Sequence, residues 1–588
     1  LIDTYWTNPQ GASTLSPFSG YFRHLDQLTA YYSRPYYEDD AWATTKPGYQ
    51  KAVWTVLDAY STQQGIPLAA NVTDMIDVYL EYERLLVMNF TCTDQESRDY
   101  GRQWQVMDIT SKDMPFGVDW PLYFSQAPLP AGYDNDTNVF VNFLEFDYMS
   151  QMMTALEKYK TDEELANYLF IRLLLAKSNL IPCGSGECNA VMKSLSAKRV
   201  PATTGRRRNP NIVARIPYTR DGTDDEIAQS CADATAALAN AQGRIYVDAV
   251  YPTDDDRKAI KNKMNGVIQN VIDAMKGMLE SLDWMTPDTK TKAIAKANGI
   301  VKNVAYPDFI LDNAQLDAAY STLDLTGQNY YQMLDSITLY NLQQQYVVLL
   351  DKVANRQDFL GQTSVVNAWY QPELNSITFP AGILQAPYFD VNYPAGLNYG
   401  GIGVVAGHEL THGFDDEGVQ WDFDGTYNPW MDANSTAGFN TMAQCVIDEY
   451  NGFCPLDDSY TPHCTNGVRT QGENIADNGG IHSAWRAFNA HLELDGADPL
   501  FTDSVFSQFS QQQLYFLNFA EVWCMSPNEL TNAFIYKRLM TDPHSLGPLR
   551  VLGTLQNIPA FAASYNCPAG SVYYPATHCN VWVPTTTA

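Results

Sequence analysis

The chain carries little positive charge for its length, and this absence restricts its partners. Its 588 residues include 37 lysines and arginines against 67 aspartates and glutamates, so the formal net charge is −30. A surface of this charge is repelled by phosphate backbones and by anionic lipid headgroups. Nucleic acids and anionic membranes are therefore poor partners.

The sequence also lacks a long apolar run. Its longest apolar stretch, residues 168–175, is interrupted by Arg172 and is far shorter than the roughly 20 apolar residues that span a bilayer. Residues 1–6 have neither the positive charge nor the apolar core of a signal peptide. We find no internal repeat, and at this length the chain is expected to fold as two lobes.

What the chain does contain is a metal-binding pattern, His408-Glu409-Leu410-Thr411-His412. Residues four apart on a helix lie on one face, so the two imidazoles could bind a single Zn²⁺. Glu409 would then point beside the metal, where it can take a proton from water. The pattern also arises by chance, so the site needs a third ligand to support it.

Glu473 is the best candidate for that third ligand. A catalytic zinc site has three protein ligands and one open position. Asp477 follows Glu473 by four residues, so one carboxylate could bind the metal while the other accepts the second ring N–H of a ligand histidine. The same spacing is typical of a solvated acidic helix start, but the apolar Ile475 favours a packed helix. The predicted ligands are His408, His412 and Glu473.

Six segments of the chain closely resemble motifs of the neprilysin/endothelin-converting-enzyme family of zinc endopeptidases. They are VNAWY (366–370), FPAGILQAP (379–387), GHELTHGFDD (407–416), GENIADNGG (472–480), GTLQN (553–557) and CNVW (579–582). They occur in the family's order, and a weaker resemblance extends back to the region of residues 36 and 37. A zinc peptidase with a shorter spacer is disfavoured by the 61 residues from His412 to Glu473 and by the NAWY segment (367–370).

The resemblance implies a mainly α-helical fold with a small β component. The implied architecture is the two-lobed, zincin-like (gluzincin) one, which encloses a central chamber. Residues 1–335 would form the mostly helical lobe that caps the chamber, and residues 336–588 would form the zinc-binding catalytic lobe. The periodicity itself predicts amphipathic helices at 72–88, 162–177 and 254–282, and strand-like material around 364–379.

The resemblance also assigns roles to single residues. Glu409 would be the general base, Asp477 would orient a ligand histidine, and His544 would stabilise the oxyanion. Substrate backbone would be held by Asn367, Ala368 and Arg550. An apolar pocket for the residue after the scissile bond would be formed by Ile383, Tyr388, Val404, Val405, Val522 and Trp523. Such a pocket implies cleavage of short to medium peptides on the amino side of hydrophobic residues.

Ten cysteines and four Asn-X-Ser/Thr sites favour a secreted, oxidised and glycosylated protein. The glycosylation sites are Asn71, Asn89, Asn135 and Asn434. Cys183–Cys188 and Cys454–Cys464 are close enough in sequence to close short loops, and the resemblance implies a Cys445–Cys579 pair. Four cysteines then remain, namely Cys92, Cys231, Cys524 and Cys567.

In the family, the counterparts of Cys231, Cys524 and Cys567 bond to cysteines upstream of the region seen here. We therefore expect a processed or truncated ectodomain, extracellular in location, with a separate N-terminal fragment disulfide-linked to one of these three cysteines. The alternative is that the four remaining cysteines pair among themselves, since ten is an even number.

The predicted function is a zinc metalloendopeptidase with one Zn²⁺ per chain. A different class stays open at this point, because a secreted acidic glycoprotein of the same fold could have a structural or peptide-binding role with little catalysis. An inactive relative would typically lose Glu409 or a metal ligand, and this chain keeps them all.

Overall fold

The computed structural model describes residues 2–7, 22–28, 34–99, 105–108, 140–143, 161–176, 235–351, 355–359, 361–498 and 504–585, with some single positions between them. These residues form two compact units, and the chain passes from the first to the second between Ala237 and Leu238. The division into a capping lobe and a catalytic lobe at residue 335 stays a prediction. Buried residues from Val247 to Ile310 belong to the hydrophobic core of the second unit.

The first unit contains a four-stranded sheet and long helices. The strands are β1 (Ile2–Thr7), β2 (Phe22–Leu28), β3 (Gln105–Asp108) and β4 (Phe140–Phe143), and the helices are α1 (Asp39–Gln64), α2 (Val72–Phe90) and α3 (Asp162–Ala176). The strand order is β1-β2-β4-β3, with β2 and β4 parallel and the outer pairs antiparallel.

Among the described residues of the first unit, Glu83 on α2 is a charged residue whose side chain is fully buried. Tyr49 and Tyr37 donate their hydroxyls to Glu83 Oε2 at 2.6 and 2.9 Å. Arg172 on α3 contacts Oε1 at 2.5 Å. A buried carboxylate is tolerated when it is paired and hydrogen-bonded in this way.

The second unit is mostly helical and carries the metal-binding pattern. Its helices are α4 (Ala239–Val250), α5 (Asp254–Ser281), α6 (Pro287–Asn298), α7 (Asn313–Ala319), α8 (Tyr330–Asp351), α9 (Ala395–Asn398), α10 (Val404–His412), α11 (Ala433–Asn451), α12 (Gly467–Asp495), α13 (Gln511–Glu521), α14 (Asn532–Thr541), α15 (Gly547–Gln556) and α16 (Pro559–Tyr565). Its strands are β5 (Val301–Ala305), β6 (Trp369–Gln371) and β7 (Ser376–Pro380). The mainly helical fold with a small β component is thus confirmed.

The long helices of this unit begin where the sequence provides a cap. Thr253 accepts a hydrogen bond from the Asp256 amide, while the Asp256 side chain accepts one from the Thr253 amide, which fixes the start of α5. Asn466 likewise accepts from the Arg469 amide at the start of α12. Apolar side chains at helical spacing then bury one face of α5 against α10 and α12.

The small sheet has the order β5-β7-β6 and places a strand edge beside the zinc motif. β5 runs parallel to β7, and β6 runs antiparallel to it, with Tyr370 opposite Ile377. β7 is buried along its whole length, whereas β6 is only partly buried and packs against α10. Among the described residues, β6 has no strand partner on its outer side.

Two disulfides occur in the second unit, Cys445–Cys579 and Cys454–Cys464. Cys183 and Asn135 lie outside the described residues, so the Cys183–Cys188 pair and that glycosylation site stay predictions. The other three glycosylation sites, Asn71, Asn89 and Asn434, are exposed. None of the described helices combines the length and apolar composition needed to cross a membrane.

Candidate active site

The two helices that carry the predicted metal ligands pack with their backbones in close contact. α10 carries His408 and His412, and α12 carries Glu473. A methyl group on Gly480 of α12 would lie 2.7 Å from the His408 amide nitrogen, and one on Gly407 would lie 2.6 Å from the Gly480 carbonyl oxygen. Only glycine fits at these two positions, and this close approach brings the three side chains together.

The ligand atoms form a compact triangle. His408 Nε2 lies 3.0 Å from His412 Nε2 and 3.2 Å from Glu473 Oε2, and the third side of the triangle measures 3.6 Å. Zinc bonds of about 2.0–2.1 Å in tetrahedral geometry place ligand atoms roughly 3.3 Å apart. The triangle therefore has the size that a tetrahedral zinc site requires.

The outer nitrogens of both imidazoles are bound by carboxylates. His408 Nδ1 donates to Asp477 Oδ1 at 2.8 Å, and His412 Nδ1 donates to Asp415 Oδ2 at 2.7 Å. When both imidazoles are neutral, their Nε2 lone pairs face each other and also face Glu473 Oε2. Glu473 Oε2 is buried and makes no hydrogen bond of good geometry. Three electron-pair donors facing one point fit a divalent cation.

Protons and a metal compete for these Nε2 atoms. Burial opposes protonation of His408 and His412, but Glu473 and the two outer carboxylates outweigh it, so the pKa of each ring is raised. Burial would raise the pKa of Glu473, but the facing histidines outweigh it and hold that pKa well below its usual value. Glu473 is therefore an anion and can bind a cation.

Asp415 is a functional residue that the sequence reasoning missed. It lies three residues after His412, beyond the end of α10, and is 5% exposed. Its second oxygen, Oδ1, accepts from the amides of Glu417 and Gly418 at 2.9 and 2.6 Å. The signal in the sequence is the His-x-x-Asp spacing of His412 and Asp415. This spacing predicts a contact between the two side chains only if the chain turns back after α10.

Glu409 lies next to the ligand triangle without belonging to it. Its side chain is almost completely buried, and burial raises its pKa, although the neighbouring His408 and His412 oppose the rise. A carboxylate whose pKa is raised is a better proton acceptor than an ordinary carboxylate.

His544 reaches the site from the segment between α14 and α15. Its Nε2 lies 3.2 Å from Glu473 Oε2, and its Nδ1 donates to Asp542 Oδ1 at 2.8 Å. Arg538 contacts the other oxygen of Asp542 at 2.5 Å. Asp542, which the sequence reasoning also missed, therefore fixes the orientation of the imidazole.

Arg550 on α15 is bound to Asp477 by two hydrogen bonds. Its Nε donates to Oδ2 at 2.6 Å and its Nη2 donates to Oδ1 at 2.5 Å, while the guanidinium stacks 3.8 Å above the Trp523 ring. Burial would raise the pKa of Asp477, but Arg550 and His408 outweigh it and lower that pKa. Arg550 thus keeps Asp477 charged and in place behind His408.

The structure places the remaining predicted residues around this centre. Asn367 is partly exposed and Ala368 is buried, and both directly precede the edge strand β6. Of the predicted pocket residues, Ile383 and Val404 are buried in the core, whereas partly exposed surface remains on Tyr388, Val405, Val522 and Trp523. Burial raises the pKa of Tyr388, and the charge of Arg550 opposes the rise.

Comparisons with known proteins identify the family of the chain. Two sequence models described as peptidase family M13 match residues 16–307 and 367–581. Neprilysin-1 of Caenorhabditis elegans is 32% identical over 94% of this chain and 69% of its own length. An endothelin-converting enzyme homolog of Locusta migratoria is 37% identical over 89% of this chain and 68% of its own length.

Solved structures show the same fold. The crystal structure of a Mycobacterium tuberculosis zinc metalloprotease in complex with an inhibitor superposes with a TM-score of 0.78, at 22% identity, over 99% of this chain and 80% of that one. A second similar structure is PepO of Lactobacillus rhamnosis, with a TM-score of 0.73 at 20% identity over 99% of this chain and 82% of that one. The chain belongs to peptidase family M13, the family of neprilysin and endothelin-converting enzyme, and is a zinc metalloendopeptidase of that family.

Proposed function

We propose that this protein hydrolyses short to medium peptides on the amino side of large hydrophobic residues. The observation that carries the proposal is the triangle of His408, His412 and Glu473. Two nitrogens and one carboxylate oxygen, with the outer nitrogens bound by Asp477 and Asp415, form the donor set of a catalytic zinc site.

His408, His412 and Glu473 would hold one Zn²⁺. When bound, the metal lowers the pKa of a coordinated water toward about 7 and polarises the scissile carbonyl. Asp477 and Asp415 keep the two imidazoles in the tautomer that presents Nε2 to the metal. Arg550 holds Asp477 in turn, so the orientation of His408 depends on two residues outside the triangle.

Glu409 is proposed as the general base. Its buried carboxylate accepts a proton from the attacking water and passes it to the leaving amine, a role that its raised pKa supports. His544, oriented by Asp542, donates Nε2–H toward the oxygen on which negative charge develops. Arg550 is proposed to bind a substrate carbonyl in addition to Asp477.

The substrate is proposed to add to β6 as an extended strand. The outer edge of β6 is open among the described residues, and Asn367 and Ala368 supply hydrogen-bonding groups at its start. The partly exposed surfaces of Tyr388, Val405, Val522 and Trp523 would accept the side chain that follows the cleaved bond. Discrimination among large apolar side chains should be modest, since one methylene contributes only about 1–3 kcal/mol.

The Glu409→Gln variant tests this mechanism. It removes the proton acceptor and keeps the shape, so we expect peptide hydrolysis to fall by at least about 10²-fold with zinc content unchanged. Zinc per chain and cleavage of a short peptide with a central Phe or Leu are measured together. The matched control is Glu493→Gln, at an exposed position on α12, which should leave both unchanged.

Retained hydrolysis in the Glu409 variant would refute the assignment of the base. A wild-type protein that binds zinc but cleaves no peptide would instead favour the other candidate, an acidic glycoprotein with a structural or peptide-binding role. A chelator distinguishes contaminating activity, because hydrolysis by this site must stop when zinc is removed and return when zinc is restored.

The proposed location is extracellular, either as a secreted protein or as an ectodomain. Disulfides in the second unit and exposed Asn-X-Ser/Thr sites at Asn71, Asn89 and Asn434 support it. Cys231 and Cys524 are exposed and Cys567 is partly exposed, and none of the three is in a disulfide among the described residues. We propose that one of them binds an N-terminal fragment, and electrophoresis with and without reductant tests this: an unchanged band, with no small chain released, would refute it.

A further inference from the structure

Lys296, on α6, is a buried lysine outside the site described above. Its side chain is 1% exposed, and its Nζ donates to the carbonyl oxygens of Gly418 and Trp421 at 2.6 and 2.5 Å. Burial lowers its pKa to about 7, although Asp415 and Asp422 oppose the fall. Lysines are almost never fully buried without a specific partner, so this one needs an explanation.

On one side, Lys296 is connected to a metal ligand. The carbonyl of Gly418 accepts from Lys296, and the amide of the same Gly418 donates to Asp415 Oδ1 at 2.6 Å. The other oxygen of Asp415 accepts from His412 Nδ1. Three hydrogen bonds thus join Lys296 to the imidazole without direct contact between them.

On its other side, Lys296 is connected to the edge strand. Its Nζ lies 5.8 Å from the ring centre of Tyr370 on β6 and 5.7 Å from that of Phe414, which follows α10. The backbone carbonyl of Lys296 accepts from Asn375 Nδ2 at 3.1 Å, and Asn375 Oδ1 accepts from the Tyr370 hydroxyl at 3.0 Å. The residue therefore lies between the segment after α10 and the proposed substrate strand.

We propose that Lys296 is a positioning residue for the active site. Its amino group holds the segment 413–421 in position beside β6. Because Asp415 belongs to that segment and accepts from His412, the positions of Asp415 and His412 also depend on Lys296. The Gly418 carbonyl also accepts from the Trp421 amide at 3.0 Å, and the Trp421 carbonyl also accepts from Trp430 Nε1 at 3.0 Å. Without the amino group, each carbonyl would keep that one partner, but the link that Nζ makes between the two carbonyls and α6 would be lost. The segment would relax, and both the fit of the metal and the placement of the peptide would loosen. The inference rests on the proposed zinc site and peptide strand.

The Lys296→Met variant tests the proposal, because methionine is also long and unbranched but has no amino group. We expect zinc transfer from the holoenzyme to a chelating dye to become about 10–100-fold faster, as for other changes behind a ligand. We also expect the KM for a peptide to rise when zinc is kept saturating. Zinc transfer and KM are measured at a temperature well below the midpoint of thermal unfolding. The control is Lys292→Met, one turn earlier on α6 and half exposed, which should match wild type.

A purely structural role would lower the unfolding midpoint and leave zinc transfer and KM at the control values, and that result would overturn the proposal. If the methionine variant does not fold, Lys296→Gln replaces it, because the glutamine side chain is polar but ends one bond short of the position of Lys296 Nζ and so cannot reproduce both short contacts. Zinc transfer and KM equal to wild type in a folded Gln variant would likewise overturn it. Wild type that neither retains zinc nor cleaves peptide would instead refute the proposed function.

Discussion

At the scale of single residues, the sequence indicates the candidate ligands and Asp477 behind them, but not Asp415, Asp542 or Lys296. His408, His412 and Glu473 follow from helical spacing, because two ligands on one turn and an acid on another packed helix leave few alternatives. Asp415 and Asp542 lie where the chain turns between elements, and their partners depend on that turn. Lys296 could not be found from spacing at all, since the two carbonyls that accept from its amino group lie 122 and 125 positions later in the sequence.

Arg550 shows a different limit of the sequence. The family resemblance implied contact with a substrate carbonyl, but the structure shows two hydrogen bonds to Asp477. Arg550 can make both contacts at once, because a guanidinium has five N–H groups. Only the structure shows that this arginine also supports a metal ligand.

Glu449 on α11 gives a pH dependence that can be measured. Its carboxylate accepts from Asn557 Nδ2 at 2.8 Å and from Gln556, and burial raises its pKa to about 7 while these two residues oppose the rise. In the unfolded chain its pKa is about 4.3. Between about pH 4 and 7, the Glu449 carboxyl is therefore protonated in the folded protein and ionised in the unfolded chain. The free energy of unfolding falls as the pH rises through this range.

We expect Glu449→Gln, which mimics the protonated acid, to stabilise the protein at pH 8 and to have little effect at pH 5. The gain at pH 8 is at most about 4 kcal/mol. Thermal unfolding at both pH values measures it, with Asp448→Asn at the exposed neighbouring position as the control. An equal shift at both pH values would contradict the role of burial.

At the scale of elements, helices were easier to predict than strands. The runs at 72–88, 162–177 and 254–282 correspond to α2, α3 and α5 within two residues at each end. The region 364–379 contains β6 and β7, but β5 was missed. It has only five residues, and its partner β7 lies more than 70 positions later, so no local pattern indicates the pairing.

The close packing of α10 on α12 leads to a prediction about Gly480. A methyl group there would lie 2.7 Å from His408 N and 2.9 Å from the Val404 carbonyl oxygen, both of them backbone atoms that cannot rotate away. We expect Gly480→Ala to push the helices apart, lower the free energy of unfolding by about 1–3 kcal/mol and weaken zinc binding.

The control is Gly266→Ala on α5, where a methyl group would have no neighbour within 4 Å. Alanine is the better helix former by about 1 kcal/mol, so this variant should be slightly more stable and bind zinc as wild type does. Urea unfolding and zinc titration compare the two variants. Wild-type zinc affinity in the Gly480 variant would show that the distance between the helices is not critical.

At the scale of the whole molecule, the family resemblance predicted the mainly helical architecture, which composition alone could not. The first compact unit ends at Ala237, and the division into a capping lobe and a catalytic lobe at residue 335 stays a prediction. The amphipathic pattern of α2 recurs in α5, so this pattern does not mark where one compact unit ends and the next begins. Periodicity shows which face of a helix is buried, but not the core in which it is buried.

The two disulfides of the second unit should differ in their contribution to stability. Cys445–Cys579 closes a loop of 134 residues, and Cys454–Cys464 closes one of 10. Loop entropy predicts losses of roughly 5 and 3 kcal/mol when each is removed. Urea unfolding of the two double Cys→Ala variants measures the difference, and a larger loss for the short loop would contradict the entropic explanation.

The open edge of β6 has a consequence for the solubility of the protein. A strand edge that can receive a peptide could also pair with a strand of another protein molecule and begin aggregation. β6 has only three residues, about 10 Å of strand, and Pro372, which has no N–H to donate, follows it directly. An edge this short can bind a few residues of peptide, yet it is too short to start a stable sheet between copies of the chain.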